Sequence, residues 1–268
     1  VAGAGAVVLY SLFEEQIELA EMGFSGYYVQ HRDELPEALR HVADMKEYNQ
    51  GAGSYLAHIY QAKQATTIPI IASLNGYYSS GWIRYARLIE AAGLKQAALV
   101  GHSMGALVAL DCAARHPEKV RALGLCGVAV DMPVHPEMLE SAKANTLKVQ
   151  ELMTFWGMGN ALHKGGMVSP GLWLRRESLA VLAGNRPDVI HTDLAACNAY
   201  KDAPQRAAAV KAPTVLVLGD GDLMTPAAKG KALAADIPGA KTVVIPNCGH
   251  FMMVERPDET LEALKPHV

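Results

Sequence analysis

The chain has 268 residues, of which 50% are hydrophobic and 19% are charged, and its formal net charge is −3. This length allows one large α/β domain or two small ones, each with a buried core. No block or stripe of Lys and Arg stands out, so we expect no nucleic-acid or polyanion partner.

Short apolar runs alternate with helical stretches along most of the chain. This rhythm is typical of a parallel sheet with helices on both faces, a three-layer α/β/α sandwich. In chain order the predicted strands are Ala6–Tyr10, Ile68–Leu74, Ala97–Gly101, Ala122–Val130, Thr214–Leu218 and Thr242–Ile245. The predicted helices between them are Trp82–Ala92, Met104–Arg115 and Pro226–Ala235.

Two regions depart from that rhythm. Residues 14–64 contain no convincing strand and suggest helices interrupted by glycines. Residues 133–212 are rich in Met, Trp and Leu, and a structureless loop of that length is uncommon in a compact domain. We therefore predict a core formed by residues 1–132 and 213–268, with residues 133–212 inserted as a helical cap over the carboxyl ends of the strands.

The start of the chain and its cysteines bear on location. The sequence opens at Val1 with no basic segment before an apolar one, so no signal peptide is expected as it stands, although an upstream targeting segment could have been lost. No apolar run approaches the roughly 20 residues that span a bilayer.

The four cysteines show neither C-x-x-C nor zinc-ligand spacing, which favours free thiols in a reducing compartment, the cytoplasm. We expect no metal site and no cofactor.

The sharpest local motif is the apolar strand Ala97–Gly101, which runs into G-x-S-x-G centred on Ser103 and then into a helix. A serine on such a tight turn projects its hydroxyl above the sheet, and the neighbours two residues away, Gly101 and Gly105, must be small. The helix N-terminus favours negative charge, so the N–H of Met104 is the expected first oxyanion donor. An incidental serine in a glycine-rich corner is the alternative.

A serine nucleophile needs a base, and the base needs an orienting carboxylate. His250 follows the last predicted strand in a glycine-containing loop, which favours it over the other nine histidines. His135, His163 and His191 lie in the predicted cap, where they could touch substrate.

Three aspartates are candidates for the acid. Asp222 is favoured because it stands further out in the loop that follows Thr214–Leu218. Asp220 in the same loop could instead form hydrogen bonds within a turn. Asp131, after the strand Ala122–Val130, is the third possibility.

From Gly93 onwards the sequence resembles the α/β-hydrolase superfamily. The matching stretches are GLKQAALVGHSMGALVALDCAARHPEKVRALGLCGVA, VLVLGDGDLMTP and IPNCGHFMMVERPDE. The resemblance implies an α/β-hydrolase fold with a helical lid, Ser103 as nucleophile, Asp222 as acid, His250 as base and the N–H of Met104 as oxyanion donor.

The first 93 residues depart from that family's pattern, because the usual His-Gly pair, whose loop gives the second oxyanion donor, is missing. The stretches AGAGAVVLYSLFEEQIELAE and IPIIASLNGYYSSGWIRYARLIEAAG resemble a dihydroorotate dehydrogenase-like flavin barrel instead. We therefore interpret the chain as a mosaic joined near Gly93, with a six-stranded parallel sheet that lacks the antiparallel opening. By position, the second oxyanion donor is expected between Tyr10 and Phe13, at the N–H of Leu12.

The favoured function is hydrolysis of a small-molecule carboxylic ester through an acyl-enzyme. Thioester, lactone, C–C bond and peracid reactions use the same residues and are not separated by sequence. The alternatives are a weak or inactive recombined hydrolase scaffold and a flavin-binding oxidoreductase remnant. In the second alternative, Asn75 and Gly76 lie at a strand end where such a barrel contacts its ligand. Apolar side chains such as Met252, Met253 and Trp173 could mark a homodimer surface, although such residues are more often core or cap packing.

Overall fold

The structure is a computed structural model that describes residues 7–13, 52–66, 70–75, 96–163 and 173–267. Internal contacts divide the chain into two compact units, residues 1–95 and residues 96–268. Each unit is described by itself below. The predicted helix Trp82–Ala92 lies outside the described residues.

In the first unit the structure describes two strands and one helix. Strands β1 (Val7–Phe13) and β2 (Ile70–Asn75) pair in parallel, and helix α1 (Ala52–Ala65) lies between them in the sequence. Strand β1 is longer than predicted, because its pairing with β2 continues as far as Phe13 opposite Asn75. Leu12, opposite Leu74, therefore lies within a strand and not in the loop after one.

The second unit alternates strands and helices on either side of a long helical segment. The first half contains β3 (Ala97–His102), α2 (Met104–Arg115) and β4 (Val120–Cys126). The cap segment, residues 133–212, contains α3 (Pro136–Lys143), α4 (Leu147–Gly157), α5 (Asn160–His163), α6 (Leu174–Ala183), α7 (Val189–Ala199) and α8 (Ala203–Ala209). The second half contains β5 (Thr214–Gly219), α9 (Ala227–Asp236), β6 (Lys241–Ile245), α10 (Met252–Glu255) and α11 (Pro257–Leu264).

The four strands of this unit form a parallel sheet in the order β3-β4-β5-β6. Side chains alternate between its two faces, as strand geometry requires. Leu216 and Leu218 of β5 pack in one buried cluster with residues of α2, α8 and α9. Val215 and Val217 of the same strand pack in a second cluster, with residues of α10 and α11. Helices therefore cover both faces, as the sequence predicts for a three-layer α/β/α sandwich.

The cap segment has a small core of its own. Met138 and Ala142 of α3, Val149 of α4 and Leu194 of α7 are buried against one another. Because these side chains come from three helices, they hold the helices together without requiring a strand from the sheet.

Two predictions about strands need correction. The predicted strand Ala122–Val130 ends at Cys126, because Gly127 turns out of the extended conformation with a φ of 55°. The predicted single sheet of six strands is wrong for the described residues, where the six parallel strands form one four-stranded and one two-stranded sheet.

Several other expectations concern single residues. All four cysteines are free thiols, and Cys126, Cys197 and Cys248 are buried. None of the described helices is long and apolar enough to cross a membrane. Met252 is fully buried, so its proposed place on a dimer surface is wrong, whereas Met253 and Trp173 are exposed. A homodimer through those two residues stays a prediction.

Candidate active site

Ser103 occupies a sharp turn between β3 and α2. Its backbone has a φ of 55° and a ψ of −120°, a conformation that side-chain-bearing residues rarely adopt. The turn is held from both sides, because the N–H of Ser103 donates to the carbonyl of Cys126 (2.9 Å) and its own carbonyl accepts from Ala106 (2.9 Å). Ser103 thus stands at the carboxyl end of a strand and immediately before the first residue of a helix, Met104.

The two glycines of the turn are not equivalent. A Cβ at Gly101 would lie 2.2 Å from the carbonyl oxygen of Gly105, so residue 101 must lack a side chain. Among the residues that the structure describes, a Cβ at Gly105 would have no neighbour within 4 Å, so these residues do not require a small side chain at residue 105, contrary to the prediction. What the turn requires is close approach of the Gly105 backbone to Gly101.

Asp222 lies in the loop after β5 and is almost fully buried. Its Oδ1 accepts hydrogen bonds from the backbone N–H groups of Met224 and Thr225, both 2.8 Å, and its Oδ2 accepts from the Thr225 hydroxyl (2.7 Å). Burial by itself would raise the pKa of Asp222, but the hydrogen bond and charge of His250 and the hydrogen bonds of Thr225 lower the pKa below its ordinary value. The site therefore favours an ionised carboxylate at residue 222.

His250 follows β6, and only 2% of the residue is exposed. Its Nδ1 lies 2.8 Å from Oδ2 of Asp222. An ionised carboxylate can only accept, so Nδ1 carries the proton, and in the neutral ring Nε2 then keeps a lone pair. Asp222 thus selects the tautomer that a general base needs.

A second histidine supports the first. His102, the last residue of β3, donates from Nε2 to the backbone carbonyl of His250 (2.8 Å), and the two ring centroids are 4.6 Å apart. Burial, followed by the charge of His250, lowers the pKa of His102 to about 4. His102 is therefore neutral near pH 7 and does not place a second positive charge beside His250.

The structure joins some of the predicted site residues and not others. Asp222 and His250 form a hydrogen-bonded pair, whereas no hydrogen bond joins the hydroxyl of Ser103 to His250 within the described residues. Asp220 points elsewhere, since its Oδ1 accepts from the N–H of Cys248 (3.3 Å). Asp131 forms an ion pair with Lys229 (2.9 Å), and both side chains are over 40% exposed.

The two predicted oxyanion donors lie in different units. Met104 begins α2, so its N–H has no acceptor within the helix. Leu12 belongs to β1 in the first unit, and its role as second donor stays a prediction.

A cavity of about 320 Å³ lies beside Ser103. Its wall is mostly apolar and comes from the segment after β4, from the cap helices and from the loop of Asp222; it includes Met132, Val134, Met138, Trp156, Leu194 and Leu223. Of the cap histidines, His135 lines the cavity and its ring meets Trp156 edge-on, with centroids 5.4 Å apart. Among the described lining residues no lysine, arginine or acidic side chain occurs.

Sequence reasoning missed two residues that shape the site, Gly127 and Thr225. Gly127 lies next to both histidine rings, and Thr225 binds the carboxylate of Asp222. A glycine directly after a buried strand was the available signal for Gly127. For the described residues, no cluster of three or more His, Cys, Asp or Glu side chains could hold a metal ion.

Comparison with known proteins gives a consistent family. The sequence model of the Alpha/beta hydrolase family matches residues 64–263. Because the match begins at residue 64, it already includes part of the segment that was interpreted as barrel-like. The comparisons give no support to a flavin-barrel origin of residues 1–93 or to a join near Gly93.

Two curated relatives illustrate the similarity. RutD of Klebsiella pneumoniae (strain 342), a candidate carbamate hydrolase, is 31% identical over 177 residues, which cover 63% of this chain and 65% of the relative. The chain thus spans slightly less than two thirds of that relative's length. A pimeloyl-[acyl-carrier protein] methyl ester esterase of Aromatoleum aromaticum (strain DSM 19018 / LMG 30748 / EbN1) is 29% identical, over 61% of this chain and 70% of the relative.

Solved structures agree on the fold. The enol-lactonase of Burkholderia xenovorans LB400 superposes with a TM-score of 0.59 over 69% of each chain, at 21% sequence identity. At that identity the likeness concerns the arrangement of strands and helices only.

Proposed function

Since the chain belongs to the alpha/beta hydrolase family, we propose that it is a serine hydrolase with Ser103 as nucleophile, His250 as general base and Asp222 orienting the base. The observation that carries this proposal is the buried hydrogen bond of 2.8 Å between Asp222 and His250. The strand that leads to Ser103 belongs to the same parallel sheet as β5 and β6, so all three residues leave it at the carboxyl edge.

The reaction follows from the roles of these groups. Nε2 of His250 takes the proton of the Ser103 hydroxyl while the oxygen attacks the substrate carbonyl carbon. The resulting oxyanion accepts a hydrogen bond from the N–H of Met104. Proton return from His250 to the leaving alcohol gives the acyl-enzyme, which water, activated by His250, then hydrolyses.

We propose a carboxylic ester with a small to medium apolar acyl or aryl group as substrate. The cavity of about 320 Å³ supports this choice, because thioether, aliphatic and indole side chains line it. The name of the esterase relative from Aromatoleum aromaticum also favours ester chemistry.

Turnover of p-nitrophenyl esters of increasing acyl length tests the proposal. Ser103→Ala removes the nucleophile, and we expect it to lower kcat by at least about 10⁴-fold without a change in melting temperature. Retained turnover in a folded Ser103→Ala protein would exclude Ser103 as nucleophile.

An inactive scaffold is the second candidate, and one observation favours it. Within the described residues the hydroxyl of Ser103 has no hydrogen bond to His250. Catalytic hydrogen bonds are often long before substrate binds, so the missing hydrogen bond does not exclude the hydrolase. Covalent labelling by a fluorophosphonate distinguishes them, because it requires an activated serine: labelling of wild type but not of Ser103→Ala supports the hydrolase, and no labelling of either supports the scaffold.

A further inference from the structure

Glu255 is a buried acidic residue at the end of the short helix α10, five positions after His250. Only 4% of it is exposed. Its Oε2 accepts two backbone hydrogen bonds, from the N–H of Gly249 (2.9 Å) and from the N–H of Gly159 (3.1 Å). Gly249 immediately precedes His250, whereas Gly159 belongs to the cap segment. One carboxyl oxygen therefore links the cap to the loop that carries the proposed base.

The two backbones that Glu255 links are in direct contact. A Cβ at Gly249 would lie 2.3 Å from the backbone nitrogen of Gly159, and a Cβ at Gly159 would lie 2.9 Å from the backbone nitrogen of Gly249. Next to this contact, the carbonyl of Gly157 accepts a hydrogen bond from the N–H of His250 (2.7 Å). We call residues 157–159 and 248–250 the cap joint.

The position of the Glu255 side chain is hard to explain by packing alone. Its second oxygen, Oε1, is buried and has no hydrogen-bond partner among the described residues. Burying a carboxyl group with an unsatisfied oxygen opposes folding, and an apolar side chain of similar size would avoid that cost. An apolar side chain would, however, leave the N–H groups of Gly159 and Gly249 without their acceptor.

From these contacts we propose that Glu255 is a positioning residue that locks the cap joint and thereby fixes the main chain of His250. Asp222 orients the imidazole through Nδ1, and His102 holds the carbonyl of His250 (2.8 Å). Glu255 fixes the residue before His250, which neither of them touches. The catalytic part of this inference rests on the proposed function; the structural part, the locking of the joint, does not.

Three variants test the proposal. In Glu255→Ala both N–H groups lose their acceptor, and we expect kcat for the best p-nitrophenyl ester to fall about 10²-fold, with a smaller change in KM, because a small displacement of the base has that effect. Glu255→Gln keeps an oxygen that can accept both hydrogen bonds, so we expect its kcat to stay within about threefold of wild type. Thr260→Ala is the matched control.

Thr260 is buried in the neighbouring helix α11, and its hydroxyl donates to the carbonyls of Met252 (3.0 Å) and Arg256 (2.7 Å) but not to the cap joint. Its loss destabilises the same region, and we expect kcat to change by less than about threefold. A loss of kcat in Thr260→Ala equal to that in Glu255→Ala would overturn the proposal. A folded Glu255→Gln protein with a loss near 10²-fold would overturn it as well.

Amide hydrogen exchange reports on the joint without reference to activity. We expect exchange at Gly159 and Gly249 to be at least about tenfold faster in Glu255→Ala than in wild type or Thr260→Ala. Unchanged exchange would overturn the locking role, even if Ser103→Ala had already shown that the proposed function fails. If exchange is faster in Glu255→Ala but its kcat equals that of wild type, the positioning role is overturned.

Discussion

The backbone of Gly127 lies against the imidazole of His250, so that a Cβ at residue 127 would be 3.1 Å from both Cε1 and Nδ1 of the ring. Gly127 also has a φ of 55°, in the left-handed region that favours glycine. The residue that directly follows β4 thus forms a close-fitting support for the ring, although none of Ser103, Asp222 and His250 follows that strand.

The first prediction is that Gly127→Ala lowers kcat by about 10- to 100-fold, because the new methyl group displaces the ring from Asp222. The backbone strain of alanine at positive φ should cost on the order of 1 kcal/mol of stability. Gly239→Ala is the control, since Gly239 has a φ of 71° and no atom of the described part of the chain within 4 Å of its Cβ position. Urea denaturation measures the loss of stability in both variants. Equal losses of kcat in the two variants would contradict a role for the contact between residue 127 and the ring of His250.

The second prediction separates the two aspartates of one loop. Asp222→Asn keeps one oxygen, which the N–H groups of Met224 and Thr225 hold in place, so its NH2 faces Nδ1 of His250. The NH2 favours the opposite tautomer of the ring, and we expect kcat to fall by about 10⁴-fold. Asp220→Asn keeps an oxygen for the N–H of Cys248, so a change of less than about threefold is expected. Steady-state kinetics of both variants on one chromogenic ester measures the two values of kcat. Similar losses of kcat in both variants would refute the assignment of Asp222.

The third prediction concerns stability and pH. The pKa of His102 falls from 6.5 to about 4 in the folded protein, so the unfolded chain binds more protons between those values and stability rises with pH. The free energy of unfolding should therefore drop on acidification from pH 6.5 to 4, by on the order of 3 kcal/mol from this residue. Asp222, whose pKa is lowered, contributes stability that is lost only at still lower pH.

Urea denaturation of wild type and His102→Gln between pH 7 and 4 measures this contribution. The variant lacks the partly buried imidazole, so its stability should depend less on pH over that range. Parallel curves for the two proteins would mean that His102 titrates normally.

The fourth prediction concerns the cavity wall. Leu223 lines the cavity but is 63% exposed, so Leu223→Ala should change the free energy of unfolding by less than about 0.5 kcal/mol. For the longer acyl esters kcat/KM should fall about tenfold, because apolar contact with the acyl group is lost. Val181→Ala, also at an exposed apolar residue and outside the cavity lining, should leave the chain-length profile unchanged.

The parts of the site that sequence could predict are those encoded within a few neighbouring residues. Helix Met104–Arg115 was predicted with the bounds that the structure has, because an apolar strand, two glycines and an alanine-rich run specify a turn locally. The loops of Asp222 and His250 could be found in the same way, since each directly follows an apolar strand.

What sequence could not predict depends on residues far apart in the chain. Nothing near Glu255 indicates that its partner would be Gly159, which is 96 residues away. The strand after Arg121 was extended too far, because Val128 and Ala129 are apolar and buried without belonging to the sheet. Burial alone therefore does not distinguish a strand from the buried loop that follows it.

The glycine contact at the cap joint has a consequence for exchanging modules between relatives. A foreign cap grafted onto this core must present a residue without a side chain where Gly159 now meets Gly249. A graft chosen only for the shape of its substrate pocket would push the loop of His250 outwards. Altered selectivity and lost turnover would then arise together from one misplaced methyl group, at a boundary remote from the bound acyl chain.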